Sequence, residues 1–282
     1  MSAIGEAGVA ALGAEEFRWI CRFLRDRTGI SLRDGKQAMV MGRLEKRLRR
    51  LGLSSYGAYF ARLGKPGEEA ETRIAIDLLT TNETFFFREP KHFDFLRETI
   101  VPAHPRSRLL RVWSAASSSG EEAYTIAMTL AEHLPDGGWE VVGTDISTRV
   151  LETARGGLYP IAAAQKIPVA LLRRYCLKGC DEYEGYLRIG PELRSRVAFV
   201  HANLLQPLQG LGVFDVVFLR NVMIYFDVDT KQDLLRRIAA VMRPGAYLFT
   251  SHSESLSGLD TGFEVVAPSI YRRPEDAARA TG

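Results

Sequence analysis

Apolar residues recur at helical spacing through the first third of the chain and then give way to short apolar runs separated by helical stretches, so the sequence predicts two architectures in succession. Ala14 to Arg27 and Lys36 to Leu51 carry the helical period most clearly, and Tyr56 to Leu63 and Glu69 to Leu79 read as shorter helices. Turn signals at Thr28-Gly29, Asp34-Gly35, Leu51-Gly52 and Lys65-Pro66-Gly67 separate them. From Arg108 onward, Leu109 to Ser114, Glu140 to Thr144, Val197 to His201, Phe214 to Leu219 and Tyr247 to Ser251 read as strands between helices. That alternation predicts an α/β fold: a mainly parallel sheet with helices on both faces, which binds its ligands outside the carboxyl ends of the strands.

Between Tyr159 and Arg196 the alternation is interrupted by turn signals at Lys178-Gly179, Glu184-Gly185 and Gly190-Pro191. Tyr186 to Ile189 reads as a short strand inside this stretch, so a small β-rich insertion is expected over about 160–196. The resulting organisation is a helical domain at 1–87, a linker at 88–107 and an α/β domain at 108–282, with a tail after Arg273 that is expected to fray.

A chain of 282 residues has room for two such domains, each with its own core. With 46% hydrophobic and 25% charged residues it has the composition of a soluble globular protein. No run of about 18 apolar residues is present, and the N-terminus lacks the basic start and apolar core of a signal peptide, which together predict a cytoplasmic protein. Cys21, Cys176 and Cys180 are too few and too unevenly spaced for a disulfide framework, and no histidine lies near them to complete a zinc site. They read as reduced structural thiols, and no metal site is expected.

The net charge of +3 does not demand nucleic acid, but it is unevenly placed. From Lys36 to Arg50 six basic residues, Lys36, Arg43, Lys46, Arg47, Arg49 and Arg50, face the single acid Glu45, a local excess of five. Val40, Leu44, Leu48 and Leu51 form the inward stripe, which leaves the arginines for the outer surface. That face is either a solvated helix exterior or a docking surface for something acidic.

Candidate chemistry lies at the strand ends. After the first strand comes Ser114-Ala115-Ala116-Ser117-Ser118-Ser119-Gly120-Glu121-Glu122, where small residues let a ligand approach a helix N-terminus. No G-x-G-x-x-G is present, which speaks against a nicotinamide dehydrogenase. Two glutamates opening the helix would repel a pyrophosphate but welcome a cationic or hydroxyl-rich ligand. Asp145, after the second strand, stands where an acidic residue takes the hydroxyls of a ribose. Both positions have local alternatives: Ser119 with Glu122 has the spacing of a capping box, and Asp145 of a helix cap.

Several motifs in order, Thr81-Asn82-Glu83-Thr84-Phe85-Phe86-Phe87-Arg88-Glu89, Trp113 to Ala116 with Ser119 to Glu122, Asn203-Leu204-Leu205, Arg220-Asn221-Val222-Met223-Ile224-Tyr225-Phe226 and Ser251 to Ser255, resemble those of the CheR-type receptor methyltransferases. The resemblance implies an N-terminal helical domain that docks on receptors. It implies after that a Rossmann-like methyltransferase domain with a small antiparallel β-subdomain inserted. It also implies S-adenosylmethionine as cofactor, S-adenosylhomocysteine as product, and transfer of the methyl group to glutamates of chemoreceptor cytoplasmic helices. By the same resemblance Asn82, Thr84, Arg88, Glu122, Asp145, Asn203, Leu204, Arg220 and Asn221 match the family's cofactor contacts, and Arg88 and Tyr225 the residues that meet the substrate carboxylate. The receptor's helical bundle becomes the expected partner, with Arg43, Lys46, Arg47 and Arg50 on the docking face. A monomer that reaches the membrane only through receptors, and does not bind nucleic acid, is expected. Ala123 and Leu219 depart from the family's usual proline and cysteine.

Phe85 to Phe87 are candidates for the wall of an enclosed site, with at least one of them in the core. The competing readings are a nucleic-acid methyltransferase drawn by the basic helix and a non-catalytic module that senses the cofactor. Against the first, Arg220-Asn221-Val222-Met223 stands where amino-methylating DNA enzymes carry an Asn/Asp-Pro-Pro-aromatic motif; against the second stand Arg88 and Tyr225.

Overall fold

The computed structural model describes residues 9–275; the expected fraying of the tail falls largely on 276–282, and the reading of the N-terminus on 1–8, both outside the described residues. The chain forms two compact units, one of residues up to Thr81 together with Tyr225–Asp227, the other of Asn82–Ile224 and Val228 onward.

The first unit is helical, with α1 at Ala14–Thr28, α2 at Gln37–Arg50, α3 at Tyr56–Phe60 and α4 at Glu69–Leu79. Glu16, in the first turn of α1, reaches back to accept from Gly13 N at 2.7 Å, and Gly29 ends the helix at φ 76, a conformation open to glycine at little cost. Phe17, Ile20, Phe23 and Leu24 of α1 and Val40, Leu44 and Leu48 of α2 are buried, as their spacing requires. Trp19 stacks between Phe23 and Phe60 with ring centroids 5.1 and 5.0 Å away.

The basic face of α2 is divided, which corrects the expectation that all its arginines point outward. Arg43 caps the end of α4: Nη1 donates to Leu79 O (2.7 Å) and Thr80 O (3.0 Å), and Nη2 to Thr81 Oγ1 (3.1 Å). Arg47 forks onto Glu71, with Nε 2.9 Å from Oε1 and Nη2 on Oε2, while Tyr59 OH donates to the same carboxylate at 2.7 Å. The Arg47 guanidinium holds the Glu71 carboxyl below its usual range. Both arginines flank the apolar stripe and so meet α4, whose orphan carbonyls and buried Glu71 need donors. Lys46, Arg49 and Arg50 remain exposed.

The second unit opens with α5 (Lys91–Phe95), which runs through a π-helical turn at Leu96–Ile100 into α6 (Val101–Ala103). This stretch was expected as a linker, yet Phe93, Leu96, Ile100 and Val101 are buried in the main core with Val112, Val216 and Phe218. Helical spacing of those residues is visible in the sequence, but the run is short and Pro90 stands at its head. Then follow β1 (Leu110–Ser114), α7 (Glu121–His133), β2 (Trp139–Asp145), α8 (Thr148–Gly156), β3 (Leu158–Pro160), α9 (Val169–Tyr175), β4 (Cys176–Lys178), β5 (Tyr186–Ile189), α10 (Pro191–Arg194), β6 (Val197–His201), β7 (Phe214–Phe218), α11 (Val228–Ala240), β8 (Met242–Phe249), β9 (Glu264–Ala267) and β10 (Ile270–Arg272).

The seven-stranded sheet has the order β6-β2-β1-β7-β8-β10-β9. Pairs from β6 to β8 are parallel, and β10 is antiparallel to both neighbours. The first strand, β1, lies near the middle, and the chain proceeds first to one side and then to the other, so the carboxyl ends of β1 and β7 flank the switch point where such sheets bind ligands. A separate antiparallel sheet, β3-β5-β4, is the expected insertion. The strand β8 starts five residues before its expected start at Tyr247, because a register shift against β7 accommodates Pro244 and Gly245. All three cysteines are free, and among the described residues no helix is long and apolar enough to cross a membrane.

Replacing Arg47 with alanine would leave a carboxylate only 6% exposed without its cation. Arg47→Ala is expected to destabilise the protein by about 2–3 kcal/mol in urea unfolding, against less than about 0.5 kcal/mol for Lys46→Ala. Equal effects would show that Arg47 is a surface charge after all.

Candidate active site

The candidate residues of the second unit lie in loops at the carboxyl ends of the parallel strands, in the first turn of α7 and in the segment 82–88 before α5. The loop after β1 makes a tight entry to α7: Ser118 and Gly120 have φ 47 and 98. A Cβ on Gly120 would lie 2.9 Å from Ala154 Cβ and 3.1 Å from Ala154 Cα, so only glycine fits between loop and α8. Gly143 in β2 has a similar role, since a Cβ there would meet the Phe199 ring at 2.7 Å and Ser117 Oγ at 3.0 Å.

Asp145, buried at the end of β2, ties this loop down: Oδ2 accepts from Ser118 N and Oδ1 from Ser147 N, both at 2.9 Å. The cap of α8 is Ser147, whose Oγ accepts from Val150 N, so the capping alternative for Asp145 is not realised. Ser118 Oγ donates to Asn82 O at 2.9 Å, fixing the start of the Asn82 to Arg88 segment beside the same loop. Ala202 N, just beyond β6, donates to Asp145 O at 3.1 Å, and Asn203 Oδ1 accepts from Leu205 N at 2.9 Å, with Leu204 buried between them in sequence.

Glu122 does not close a capping box either. Its Oε1 accepts from Ser114 Oγ at 2.7 Å and its Oε2 lies 2.9 Å from Arg220 Nη1, while Ser119 Oγ donates to Glu121. Burial pushes the Glu122 carboxyl up, and Arg220 works in the opposite direction. The Arg220 side chain is 1% exposed; Nη2 donates to Arg88 O and stands 3.4 Å from Glu89 Oε2. Glu122, Arg220 and the Arg88 backbone are therefore one hydrogen-bonded group drawn from α7, the loop after β7 and the segment before α5.

The Arg88 guanidinium itself turns back on its own segment, with Nη1 donating to Glu83 O at 3.1 Å and the cation 5.6 Å from the Phe85 ring centroid. Phe85 is 38% exposed, Phe86 is core and Phe87 is half-buried, so at least one of the three lies in the core, as expected. Thr84 is half-buried in the same coil. Asn221 adopts φ 58, and its N–H donates to Glu254 Oε2 at 2.7 Å. Tyr225 belongs to the helical unit, where its carbonyl accepts from Ser31 N at 2.9 Å.

Glu254 has a role that pattern reading missed. It is 5% exposed and accepts from Asn221, Ile224 and Ser251 N–H groups, so one carboxylate shapes the turn that carries Arg220 and Asn221. Its signal was its place within the Ser251 to Ser255 motif, not any periodicity.

The donor set fits a nucleoside with hydroxyls and a cationic tail: Asp145 and Glu122 offer carboxylates, and the buried Ser117 Oγ and Arg220 Nε have no hydrogen-bond partner among the described residues. No dinucleotide fingerprint competes with that chemistry. The description "CheR methyltransferase, SAM binding domain" matches residues 82–271, and "CheR methyltransferase, all-alpha domain" matches 15–80. The α/β unit is thus an S-adenosylmethionine-dependent methyltransferase domain preceded by a helical one. The chain belongs to the CheR methyltransferase family. Its relatives include the chemotaxis protein methyltransferase of Salmonella typhimurium, 43% identical over 271 residues covering 95% of this chain and 93% of that one. The Escherichia coli counterpart is 42% identical, covering 94% and 93%, and chemotaxis protein methyltransferase 2 of Pseudomonas aeruginosa is 42% identical, covering 91% and 92%.

If Glu122 holds the polar tail of the cofactor, Glu122→Gln should weaken S-adenosylmethionine binding by roughly tenfold in calorimetry, the loss of one charge-assisted hydrogen bond. Undiminished affinity would return Glu122 to a purely structural partner of Arg220.

Proposed function

We propose that this methyltransferase esterifies glutamate side chains on the cytoplasmic helices of chemoreceptors. The observation that carries the reading is near-full-length similarity to chemotaxis protein methyltransferases, with both family domains present in order. S-adenosylmethionine supplies an electrophilic methyl group and leaves as S-adenosylhomocysteine. A glutamate has an ordinary pKa of about 4.3, so at neutral pH it already carries the nucleophilic lone pair and needs no general base. What the protein must do is hold one carboxylate oxygen in line with the bond that breaks, and positioning of that kind contributes on the order of 7–11 kcal/mol.

In this reading Asn82, Thr84, Glu122, Asp145, Asn203, Leu204, Arg220 and Asn221 hold the cofactor, Arg88 orients the acceptor carboxylate with its planar fork, and Tyr225 is the second residue that the family resemblance assigns to that carboxylate. Arg88 is suited to that work because, among the described residues, its guanidinium is engaged by one carbonyl and one exposed ring, contacts a substrate can replace. Docking falls to the exposed Lys46, Arg49 and Arg50, which face solvent on α2, whereas Arg43 and Arg47 are committed to α4. A receptor helix bearing acidic methylation sites has the complementary charge.

The decisive experiment incubates receptor-containing membranes with labelled cofactor and maps the modified residue by mass spectrometry; methyl groups on any residue other than glutamate would overturn the proposal. In the same assay Arg88→Lys should keep most cofactor affinity yet lose at least tenfold in single-turnover rate, with Tyr225→Phe milder. Wild-type turnover in Arg88→Lys would remove the orienting fork. Replacing both Lys46 and Arg50 with alanine should slow receptor methylation severalfold at low salt and flatten its salt dependence, leaving cofactor affinity unchanged. An unaltered salt response would make α2 an ordinary solvated face.

A further inference from the structure

One serine hydroxyl fixes the tautomers of two histidines in the second unit. Ser269 Oγ, in the turn between β9 and β10, donates its single proton to Pro268 O at 2.6 Å. Its lone pairs can then only accept, and two imidazole nitrogens stand within reach: His92 Nε2 at 2.8 Å and His252 Nδ1 at 3.3 Å. A neutral imidazole has one N–H, so each ring that donates to Ser269 shows a bare lone pair on its other nitrogen. Those nitrogens, His92 Nδ1 and His252 Nε2, lie 3.5 and 3.9 Å from the same oxygen, Glu89 Oε2. His92 is 1% exposed, edge-on to Phe249 at 5.3 Å, and burial first, then Arg220 and His252, keep its ring neutral. His92 Nδ1 and Glu89 Oε2 are therefore two buried acceptors face to face, neither with a hydrogen-bond partner among the described residues. Such a pair is unfavourable unless something positive lies between them.

We propose that Glu89, His92 and His252 bind a first-row divalent transition ion, Zn²⁺ being the representative, and that Ser269 is the positioning residue that turns both imidazoles toward it. Two imidazoles and one carboxylate select such an ion over Mg²⁺ or Ca²⁺, and an acceptor on the far N–H of each ring is the usual support of a ligating histidine. The ligand atoms of the three residues lie within 4.8 Å of one another. Bonds of about 2.0–2.2 Å place ligand atoms roughly 3–3.5 Å apart on one ion, so Glu89 and His92 already have that spacing and a small swing of the exposed His252 completes it. A cavity of about 500 Å³ lined by Ser251, His252, Ser255, Asp260, Thr261 and Ser269 gives the ion a path in and water for its remaining positions. The ligands are brought together only by the fold, which is why the sequence predicts no metal site.

Arg220 is the neighbour that the ion has to tolerate. Its Nη2 is 3.4 Å from Glu89 Oε2, but the same guanidinium lies against Glu122, so two carboxylates flank one cation and the group carries a surplus of negative charge to meet the ion. A carboxylate oxygen has more than one lone pair, so Oε2 can take the ion and keep Arg220 beside it. The site does not depend on which residue accepts the methyl group.

The full chain, stripped with a chelator and dialysed, is titrated with Zn²⁺ in a calorimeter and with Co²⁺ by visible absorption. One ion per chain is expected, with micromolar or tighter affinity, a raised melting temperature in Zn²⁺ and no displacement by millimolar Mg²⁺. His252→Ala and Glu89→Gln each remove a ligand and should weaken binding at least about tenfold; His252 is exposed, so its variant without metal should melt like the wild type without metal. Ser269→Ala keeps all three ligands but releases the rings, and should weaken binding roughly tenfold. The Co²⁺ spectrum should lack the thiolate charge-transfer band that Cys21, Cys176 or Cys180 would give. No saturable binding by the wild-type chain would overturn the site and leave a proton or a water between Nδ1 and Oε2. Unchanged affinity in His252→Ala or Glu89→Gln, or a thiolate band, would put the ion on other residues and overturn it too, and full affinity in Ser269→Ala would remove the positioning role.

Discussion

A guanidinium buried to 1% exposure cannot be left unpaired, and most of the geometry around the strand ends follows from Arg220. The charge is met by Glu122 from α7 on one side and approached by Glu89 on the other, with the Arg88 carbonyl taking a further N–H. Three segments far apart in the chain are thereby brought to one cation: the stretch before α5, the first turn of α7 and the loop after β7. The loop is shaped independently by Glu254, so the direction of Arg220 does not depend on its own ion pairs alone.

The second constraint is steric. The loop after β1 has to pass between α8 and the end of β2, and it does so with glycine at 120 and glycine at 143, where any side chain would collide with Ala154 or Phe199. Asp145 then spends two carboxylate oxygens on the loop's backbone N–H groups, which makes it a structural anchor as well as an acidic group at the mouth of the site. A carboxylate oxygen has more than one lone pair, so these bonds leave acceptor capacity for ribose hydroxyls. In the proposed function the same side chain serves both shape and recognition.

In the helical unit, equal residue types carry unequal work. Arg43 closes the carboxyl end of α4 and Arg47 neutralises Glu71, while Lys46, Arg49 and Arg50 stay in water. Charge counting along α2 is blind to that division, because it depends on which neighbouring helix offers orphan carbonyls and a buried acid.

The sequence by itself determined a good deal. Helical periodicity placed α1, α2 and α4 to within a residue or two, and short apolar runs placed β1, β2, β6 and β7, since both patterns are local consequences of burying one face. Motifs in order indicated the family and with it the cofactor. What periodicity could not supply is anything set by a distant partner. The stretch 88–107 looked like a linker because its short helices gain stability only by burying Phe93 and Leu96 against strands more than a hundred residues later. The start of β8 hid behind Pro244 and Gly245, tolerated there only through a register shift against β7. Glu122 had the spacing of a cap, yet it turned to Arg220, 98 residues away, because a buried guanidinium outcompetes a solvated backbone N–H for a carboxylate. Local spacing fixes which face of an element is buried; only the tertiary structure decides which charge on that element meets which partner.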